Sequence, residues 1–427
     1  MSERLDVRAE TLKIARLLDL EEEDVAYLGG VPSADLSDFR AKATDRLFES
    51  APGLARAAAV ARLIPSRLVA TIAQRAFGPM LCARAAGGAD PGKAVDVARH
   101  LPADFLADVA IHLDPRRVAT IIAGVPTELV APVAREQEQR HEYVTMGRFL
   151  AFVPDAAIAT AMGALTDETM LRTAFVLEHK DRLDHAIGVL PPERLPGVIR
   201  TASELDLWSE ALDLLQHVSD ERKGPIAEVI AELPAELVSD LVGAVTTNEL
   251  WSNLLPVVRV MRPESRLDIA AMPAFHTPAV LADILDSATA DGLWLDLVPL
   301  VDALPPEVLT SVADAVADLP DERLVGLVSE ATAAPDTMDL LLRIVTQMEP
   351  AARRPVVDAI DAADVRLAEA LLVGLGDVEK MAYLVPLVPA DLMDAIERSA
   401  HRLGLDEELD RVRSLAEGTQ KPLTDSR

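Results

Sequence analysis

The chain has little cysteine and no long apolar run. Cys82 is the one cysteine among 427 residues, so no disulfide can form within the chain, as is typical of a reducing cytoplasm. The chain begins Met-Ser-Glu-Arg-Leu-Asp, which is charged and lacks the apolar core of a signal peptide. Because no stretch offers about 18 consecutive apolar residues, no membrane span is expected. These features favour a cytoplasmic protein.

Aromatic residues are also scarce, at 3%, although half of the residues are apolar. The core must therefore be built from leucine, valine, isoleucine and alanine, and these small aliphatic side chains suit closely packed helices. Runs of alternating β-branched and aromatic residues bounded by turns, which would indicate strands, are missing. The sequence predicts an all-α protein.

The three tryptophans recur at a fixed interval. Trp208, Trp251 and Trp294 lie 43 residues apart, and Met338 and Met381 continue the series at similar intervals. Apolar residues follow each of these positions after three or four and after seven residues, which is one face of an α-helix. A repeat of this length indicates an array in which each unit buries its apolar face on its neighbours.

Each repeat is predicted to contain three short helices. In the unit from Thr289 to Ala331, the first carries Trp294, and the second and third start near Pro306 and Pro320. Proline suits the first turn of a helix, where its missing N–H costs nothing. The spacings Thr201 to Glu204 and Thr246 to Glu249 predict capping boxes at the start of two units. We call the recurring tryptophan or methionine of each unit its anchor. Prolines five residues after an anchor predict a kink in the first helix of the unit, at Pro256, Pro299 and Pro386.

The region before the tryptophans has a shorter rhythm. Helices are expected to start at Pro91, Pro102, Pro115 and Pro126, and Tyr143 opens an earlier copy of the longer unit. Tandem helices with this leucine-proline-acidic pattern resemble the cytoplasmic N-terminal domain of MgtE-type magnesium transporters. The likeness rests on Leu101-Pro102-Ala103-Asp104, Leu113-Asp114-Pro115, Leu190-Pro191-Pro192-Glu193-Arg194-Leu195, Leu233-Pro234-Ala235-Glu236-Leu237 and Leu304-Pro305-Pro306-Glu307.

That resemblance implies a right-handed superhelix of short helices and a part in sensing magnesium. The family's transmembrane channel and its CBS pair have no counterpart in this sequence, so transport is not implied. The predicted organisation is a helical lead-in over 1–62, with an amphipathic helix over Val7–Leu20. A short-helix array over 63–200 follows, then armadillo-like three-helix repeats over 201–400, and a C-terminal helix with a polar tail over 401–427. We therefore expect a right-handed superhelical α-solenoid of proline-started helices.

Charge is unevenly distributed over the chain, whose net charge is −29. Between Lys223 and Lys380 there is no lysine, and eight arginines stand against 27 carboxylates. This stretch is either a solvated surface or a docking surface for a basic partner or for divalent cations. Phosphate backbones would be repelled there, so nucleic-acid binding is not expected.

Two polar groups could bear chemistry. Asp181 and His185 are four residues apart and would share a helix face, which could position a base or hold a metal weakly. Their neighbours are Glu178, His179 and Asp184, and the alternative interpretation is a capped, exposed helix start. The second group indicates an exposed helix with charge pairs four residues apart, and consists of Glu136, Glu138, His141 and Glu142.

Cys82 lies among apolar residues, and no histidine is placed beside it by the sequence, so it is interpreted as an inert buried thiol. The tryptophans admit two interpretations. They either form an exposed ladder for a peptide or fill the seams between adjacent units, and their apolar neighbours favour the seams.

No catalytic or cofactor-binding residues are predicted. The sequence is interpreted as a non-enzymatic cytoplasmic scaffold or regulatory adaptor with a protein partner. The alternative is a divalent-cation-responsive regulator related to the MgtE-type domain, in which carboxylates of adjacent helices share Mg²⁺; its ligand residues cannot be named from the sequence.

Overall fold

A computed structural model gives the structure of the chain and describes residues 2–48, 61–301, 304, 306–331, 335–349, 352–362 and 390–419. Within these ranges every regular element is helical and no strand occurs, so the all-α prediction is confirmed. No helix in the same ranges has the length and apolar character needed to cross a membrane. The chain divides into two compact units, Met1–Arg222 and Lys223–Arg427.

The first unit contains fourteen of the described α-helices. They are α1 Ser2–Leu18, α2 Ser33–Leu47, α3 Ser66–Ile72, α4 Gly78–Ala86, α5 Pro91–Ala98, α6 Ala103–Ile111, α7 Ala119–Ala123, α8 Thr127–Gln139, α9 Tyr143–Phe149, α10 Asp155–Met162, α11 Asp167–Phe175, α12 Leu183–Val189, α13 Leu195–Glu204 and α14 Trp208–Leu215. The next helix, α15 Asp220–Ala231, spans the division between the units.

Helices of the first unit pack on the helix two or three places further along the chain. One row runs α3, α5, α7, and another runs α4, α6, α8, α10, α12. A third row runs from α9 through α11 to α14. Each helix therefore buries its apolar stripe on the next member of its row, which is how a helical solenoid forms its core.

The second unit continues with longer helices. They are α16 Ala235–Thr247, α17 Trp251–Arg259, α18 Pro263–Ala270, α19 Pro278–Asp291, α20 Trp294–Val301, α21 Pro306–Ala317, α22 Asp321–Ala331, α23 Pro335–Gln347, α24 Arg354–Ala362, α25 Ala390–Leu403 and α26 Asp406–Thr419. Here α17, α20 and α23 form one row, and α19, α21 and α23 pack in sequence beside it. Both units are all-α solenoids in the part that the structure describes. Each unit that begins at a tryptophan contains three α-helices, counting the one that the tryptophan starts, as predicted.

Proline marks helix starts, with one difference from the prediction. Pro91 is the first residue of α5, and Pro102 and Pro126 directly precede α6 and α8. At Pro115 the prediction of an α-helix start is wrong, because Pro115–Arg117 forms a 3₁₀ turn. The Asp114 carboxylate accepts the Arg116 N–H there, 3.1 Å away, and so caps the short turn. The lead-in helix runs over Ser2–Leu18 rather than Val7–Leu20.

A backbone corner of one type precedes α9, the three helices that begin with tryptophan, and α26. The residue two places before the helix has a left-handed backbone, with φ between 52° and 72°. The next N–H donates to the carbonyl five residues earlier at 2.7–2.9 Å, which is the hydrogen bond of a Schellman motif. The left-handed residues are His141, Asp206, Glu249, Gly292 and Gly404. The middle three lie 43 residues apart, so the repeat is defined by a backbone corner as well as by tryptophan.

The predicted capping boxes are wrong. Thr201 and Glu204 lie in the last turns of α13, and Thr246 lies near the end of α16. Glu249 is itself a left-handed corner residue and does not stand in the first turn of a helix. The three-residue spacing from threonine to acid occurs here where one helix ends, within seven residues before the next tryptophan, and not where a helix begins.

Pro256 lies inside α17, which continues to Arg259, and Pro299 lies inside α20. Pro386 lies outside the described residues. The predicted boundaries at 62, 200 and 400 and the handedness of the predicted superhelix stay predictions.

Candidate functional site

The tryptophans are the first candidates, and those whose side chains are described belong to the core. Trp208 is 5% exposed and Trp251 is 1% exposed, so neither belongs to an exposed ladder, and both are buried as the seam interpretation requires. Neither indole N–H has a hydrogen-bond partner, which shows that apolar packing alone holds the rings. The side chains of Trp294 and Met338, and the whole of Met381, lie outside the described residues.

Helix α1 lies across the third row of the first unit, the α9–α11–α14 row. Its Arg16 forms a bidentate pair with Glu142 next to α9, with both nitrogen–oxygen distances at 2.8 Å. Its Arg8 stands over the ring of Phe175 in α11, 5.9 Å from the centroid, and donates to Glu210 of α14 at 2.6 Å. Two arginines eight residues apart therefore attach one helix to three.

The opposite side of α1 is covered as well. Helix α2 and the 3₁₀ segment Glu22–Gly30 pack on it, and Val7, Ile14 and Leu36 form an apolar cluster between them. As a result, side chains on nearly every face of α1 are buried, including the polar Glu10 and Lys13. The lead-in is an integral layer of the first unit.

A buried charge cluster stands at the centre of this layer. Lys13 donates to Glu10 at 2.8 Å and to the Leu177 carbonyl at 3.4 Å, and Arg40 of α2 bridges Glu10 and Glu178 at 2.8 and 2.7 Å. Burial alone would raise the pKa of Glu10, but Lys13 and Arg40 outweigh it and lower that pKa. Burial lowers the pKa of Lys13. Breaking such a pair by removing one partner typically costs about 3–5 kcal/mol.

A second bridge repeats this arrangement beside the cluster. Lys180 contacts Asp6 of α1 at 2.7 Å and Asp213 of α14 at 3.0 Å. Asp213 is fully buried, and although burial opposes it, the two carboxylates raise the pKa of Lys180. A cavity of about 200 Å³ lies between the two bridges, lined by Glu10, Lys13 and Lys180 among others. Its charged groups are engaged with one another, which favours a structural role for the cavity.

The residue two places after each tryptophan is polar and buried. Glu210 is 7%, Asn253 4% and Asp296 5% exposed. In the second unit, Arg259 of α17 pairs with Asp296 of α20 at 2.9 Å, so an arginine of the preceding repeat neutralises this position. In the first unit, Arg8 of α1 does the same for Glu210. The lead-in helix thus supplies a contact that repeats otherwise provide to one another.

Many of the acidic side chains have a structural task. Glu138 accepts hydrogen bonds from the backbone and hydroxyl of Thr166 at 2.8 and 2.7 Å, and Asp184 accepts the same pair from Ser219 at 2.8 and 2.7 Å. In the second unit, Glu228 accepts from the Arg262 N–H at 2.7 Å. Burial alone would raise the pKa of Glu138, but the Thr166 hydrogen bonds lower it. Each acid thereby satisfies a free N–H at the start of a helix about 30 residues later.

The first predicted polar group does not assemble. Asp181 lies in the 3₁₀ turn Lys180–Arg182 and His185 lies in α12, which begins at the next residue, so the shared helix face stays a prediction. His185 instead pairs with Asp155 of α10 at 2.7 Å. Glu178 and Asp184 are engaged with Arg40 and Ser219 as described above. His179 packs edge-on against the ring of Phe152, with centroids 6.0 Å apart.

The second predicted group is also divided among structural contacts. Glu136 of α8 pairs at 3.6 Å with Arg140, the residue directly after that helix, at the expected spacing of four. Glu142 binds Arg16 of α1, and His141 is a left-handed corner residue whose ring lies 2.7 Å from the hydroxyl of Tyr143.

Cys82 is half-buried, its sulfur is 3.7 Å from the Ala73 carbonyl oxygen, and burial raises the pKa of the thiol. Both properties disfavour the thiolate. Among the described residues, no three histidine, cysteine or acidic side chains come together as metal ligands would.

The first helices of the array carry an exposed surface of a different chemistry. Along α3, the following π-helical turn and α4, large apolar side chains are 36–52% exposed: Leu68, Ile72, Phe77, Met80 and Leu81. Arginines are interspersed with them at Arg67, Arg75 and Arg84, all exposed. From residue 50 to residue 89 the sequence has no acidic residue. We call these eight side chains the basic apolar surface.

Comparisons with known proteins place the chain in no family. No family model and no curated protein matches it. A solved structure described as a circular tandem repeat protein with novel repeat topology and enhanced subunit contact surfaces is 14% identical, and the match covers 97% of this chain and 94% of the other. The TM-score is 0.22, at which the likeness supports no argument. The resemblance to the MgtE-type domain stays a prediction.

Sequence reasoning missed two functional features. The contacts of α1 join residues more than 120 positions apart, and no local pattern indicates such pairs. The basic apolar surface did have a signal, namely forty residues without an acid in a chain of net charge −29.

Proposed function

We propose that this chain is a non-enzymatic, cytoplasmic protein-interaction scaffold or regulatory adaptor. The supporting observation is that the α9–α11–α14 row holds a helix laid across it. Arg16, Arg8 and Asp6 of α1 reach residues at successive positions along that row, directly or through Lys180. A row of short helices that binds its own helix in this way has the geometry by which groove-binding proteins receive helices from partners.

The described polar clusters support a binding role over a catalytic one. A nucleophile needs an adjacent base, and a general acid or base must be able to reach a substrate proton. Lys13, Glu10 and Arg40 satisfy one another in a buried network, and Cys82 has a raised pKa. The acidic residues that cap later helices are likewise committed to the fold.

The test is affinity purification of the intact chain from its native lysate, with quantitative mass spectrometry. A variant carrying Arg8→Ala and Arg16→Ala loosens α1 from the row, and Arg4→Ala, which removes an exposed arginine of the same helix, is the matched control. If α1 competes with a partner for the row, recovery of that partner should rise in the double variant and not in the control.

The scaffold proposal would be overturned if the unaltered chain, the double variant and Arg4→Ala each recover no more proteins than beads alone. A partner recovered equally by all three would keep the scaffold role and assign binding to another surface. The acidic stretch between Lys223 and Lys380 is where a basic partner would bind.

The magnesium-responsive alternative stays a prediction, because the described residues offer no convergent ligand set. It can be separated from simple screening by comparing MgCl₂ with NaCl at equal ionic strength. Specific binding requires that Mg²⁺ raise the melting temperature further than Na⁺ does, whereas equal shifts would reject it.

A further inference from the structure

The basic apolar surface stands at the beginning of two rows. Helix α3 packs on α5, and α4 packs on α6, so both are the first described helices of their rows. Interior helices of an array are covered by a neighbour on each side, and the outermost repeat of a solenoid normally presents a polar outer face. The exposed leucines, methionine and phenylalanine here depart from that rule.

The spacing of the side chains follows the helices. Leu68 and Ile72 are four residues apart on α3, and Arg75 follows three residues later in the π-helical turn. Met80 and Arg84 are four residues apart on α4. Since residues three or four apart lie on one helix face, each helix offers apolar side chains that are followed by an arginine.

The positive charges of the arginines on this surface are not neutralised by described carboxylates. Among the described residues, no carboxylate forms an ion pair with Arg67, Arg75 or Arg84, whereas Arg8, Arg16, Arg40 and Arg116 of the same unit all pair with acids. An exposed apolar surface with cations at its margin fits an apolar ligand with anions at its margin.

We infer that the basic apolar surface binds an acidic amphipathic helix of a partner protein. The inference rests on the proposed scaffold role and names the chemistry of one partner. Packing of this surface against its copy in a second chain would bring arginine against arginine, which disfavours self-association. A basic partner is likewise repelled.

An anionic membrane is the competing ligand, because arginines with apolar neighbours also suit lipid headgroups. The rest of the chain argues against it. Outside residues 50–89 there are 36 basic residues against 70 acidic ones, since five of the 41 lie within that segment. A flat anionic surface would repel them, whereas a single helix meets only the local arginines.

The experiment selects helical peptides from a random displayed library on the immobilised intact chain, with counter-selection on a Leu68→Asp, Met80→Asp variant. Leu267→Asp is the matched control, because Leu267 is 54% exposed and Leu68 is 52% exposed. Circular dichroism first establishes that all three chains are folded. Anionic vesicles containing phosphatidylserine are tested in parallel by cosedimentation.

The expected result is enrichment of peptides with leucine-like residues at helical spacing and flanking Asp or Glu. Their binding should weaken at least tenfold in the double variant, remain unchanged in Leu267→Asp, and weaken severalfold as salt rises from about 0.05 to 0.5 M. Binding should also weaken in Arg75→Glu.

Enrichment of basic or uncharged peptides, no enrichment that depends on Leu68 and Met80, or binding to vesicles alone would overturn the inference. These outcomes are independent of the purification with loosened α1. If the affinity purification recovers no partner but the peptide selection succeeds, the α9–α11–α14 row loses its proposed role, and binding at the basic apolar surface is still supported.

Discussion

At the scale of single residues, the corners before the anchor helices hold side chains in an unfavourable backbone conformation. Asp206 and Glu249 have φ of 53° and 52°, whereas the equivalent position at 292 is glycine with φ of 69°. A side chain with a Cβ strains this region, and glycine relieves the strain. The repeat therefore tolerates acids where the backbone prefers glycine.

We predict that Asp206→Gly and Glu249→Gly each raise the free energy of unfolding by up to about 1 kcal/mol, because the corner residue is exposed and its conformation is the part that changes. Gly292→Ala should lower it by a similar amount. Ser239→Gly, in the middle of α16, is the control and should destabilise by about 0.5 kcal/mol. Thermal and urea unfolding measure these changes, and a loss in Asp206→Gly would contradict the strain argument.

At the scale of the element, the attachment of α1 depends on charged contacts that cross the α9–α11–α14 row. Glu210 is buried, so removal of Arg8 takes a charged hydrogen-bond donor away from a carboxylate in a poorly hydrated place. The Arg16–Glu142 pair is bidentate, and its hydrogen bonds raise the pKa of Arg16. Both pairs are therefore expected to restrain the helix.

We predict that Arg8→Ala with Arg16→Ala accelerates amide hydrogen exchange within α1 about tenfold or more, the equivalent of about 1.4 kcal/mol of local opening. Exchange in α16 should be unchanged. Arg4→Ala should leave α1 as protected as in the unaltered chain. Adding Glu210→Ala to the double variant should restore part of the protection, because the buried carboxylate is then gone.

A pH prediction concerns His112 and His217, which lie near cations that belong to α1 or contact it. Burial, with nearby Arg16, lowers the pKa of His112, and burial, with nearby Lys180, lowers the pKa of His217. Because each folded-state pKa lies below the ordinary value of 6.5, protonation favours the unfolded chain. Stability is therefore complete above about pH 6.5 and declines as the pH falls below it.

Replacing His112 and His217 with glutamine should flatten the melting temperature between pH 7 and pH 5.5. His100→Gln, at an exposed position, should leave the pH dependence unchanged. The lowered pKa of Glu10 acts in a separate window, since its contribution is complete above the ordinary value of 4.5 and is lost below it, as the pH falls through the lowered pKa. A decline between pH 7 and 5.5 that persists without both histidines would contradict the assignment.

The helices themselves were largely predictable, because proline placement and apolar spacing are local properties of the sequence. Pro91, Pro306 and the tryptophans start helices where the pattern indicated. The capping boxes were predicted wrongly. Thr246 to Glu249 has the residue types and spacing of a helix start but lies across the end of α16. The corner is set by a backbone dihedral angle, which a side-chain pattern does not report.

At the scale of the whole molecule, the acidic excess has two components with opposite effects. Glu138, Asp184 and Glu228 stabilise later helices by accepting their free N–H groups. Others repel one another. Burial, Asp286 and Glu249 together raise the pKa of Asp283, which shows that its charge is unfavourable in the folded chain. The sequence showed the excess, but only the structure separates the acids that cap helices from those that repel.

The net charge of −29 leads to the last prediction. Raising NaCl from about 0.01 to 0.15 M shortens the screening length from about 30 to 8 Å, which weakens repulsion between exposed acids while buried pairs such as Glu10–Lys13 change little. The melting temperature should therefore rise with salt. Asp283→Asn should raise it further at pH 7, where the unfavourable carboxylate is ionised, and this effect should disappear as the pH falls below 3.8, the ordinary aspartate pKa, where the acid becomes protonated in the unfolded chain as well. Asp268→Asn, at an exposed position of α18, is the matched control. A melting temperature that falls with added salt would show instead that surface ion pairs outweigh the repulsion.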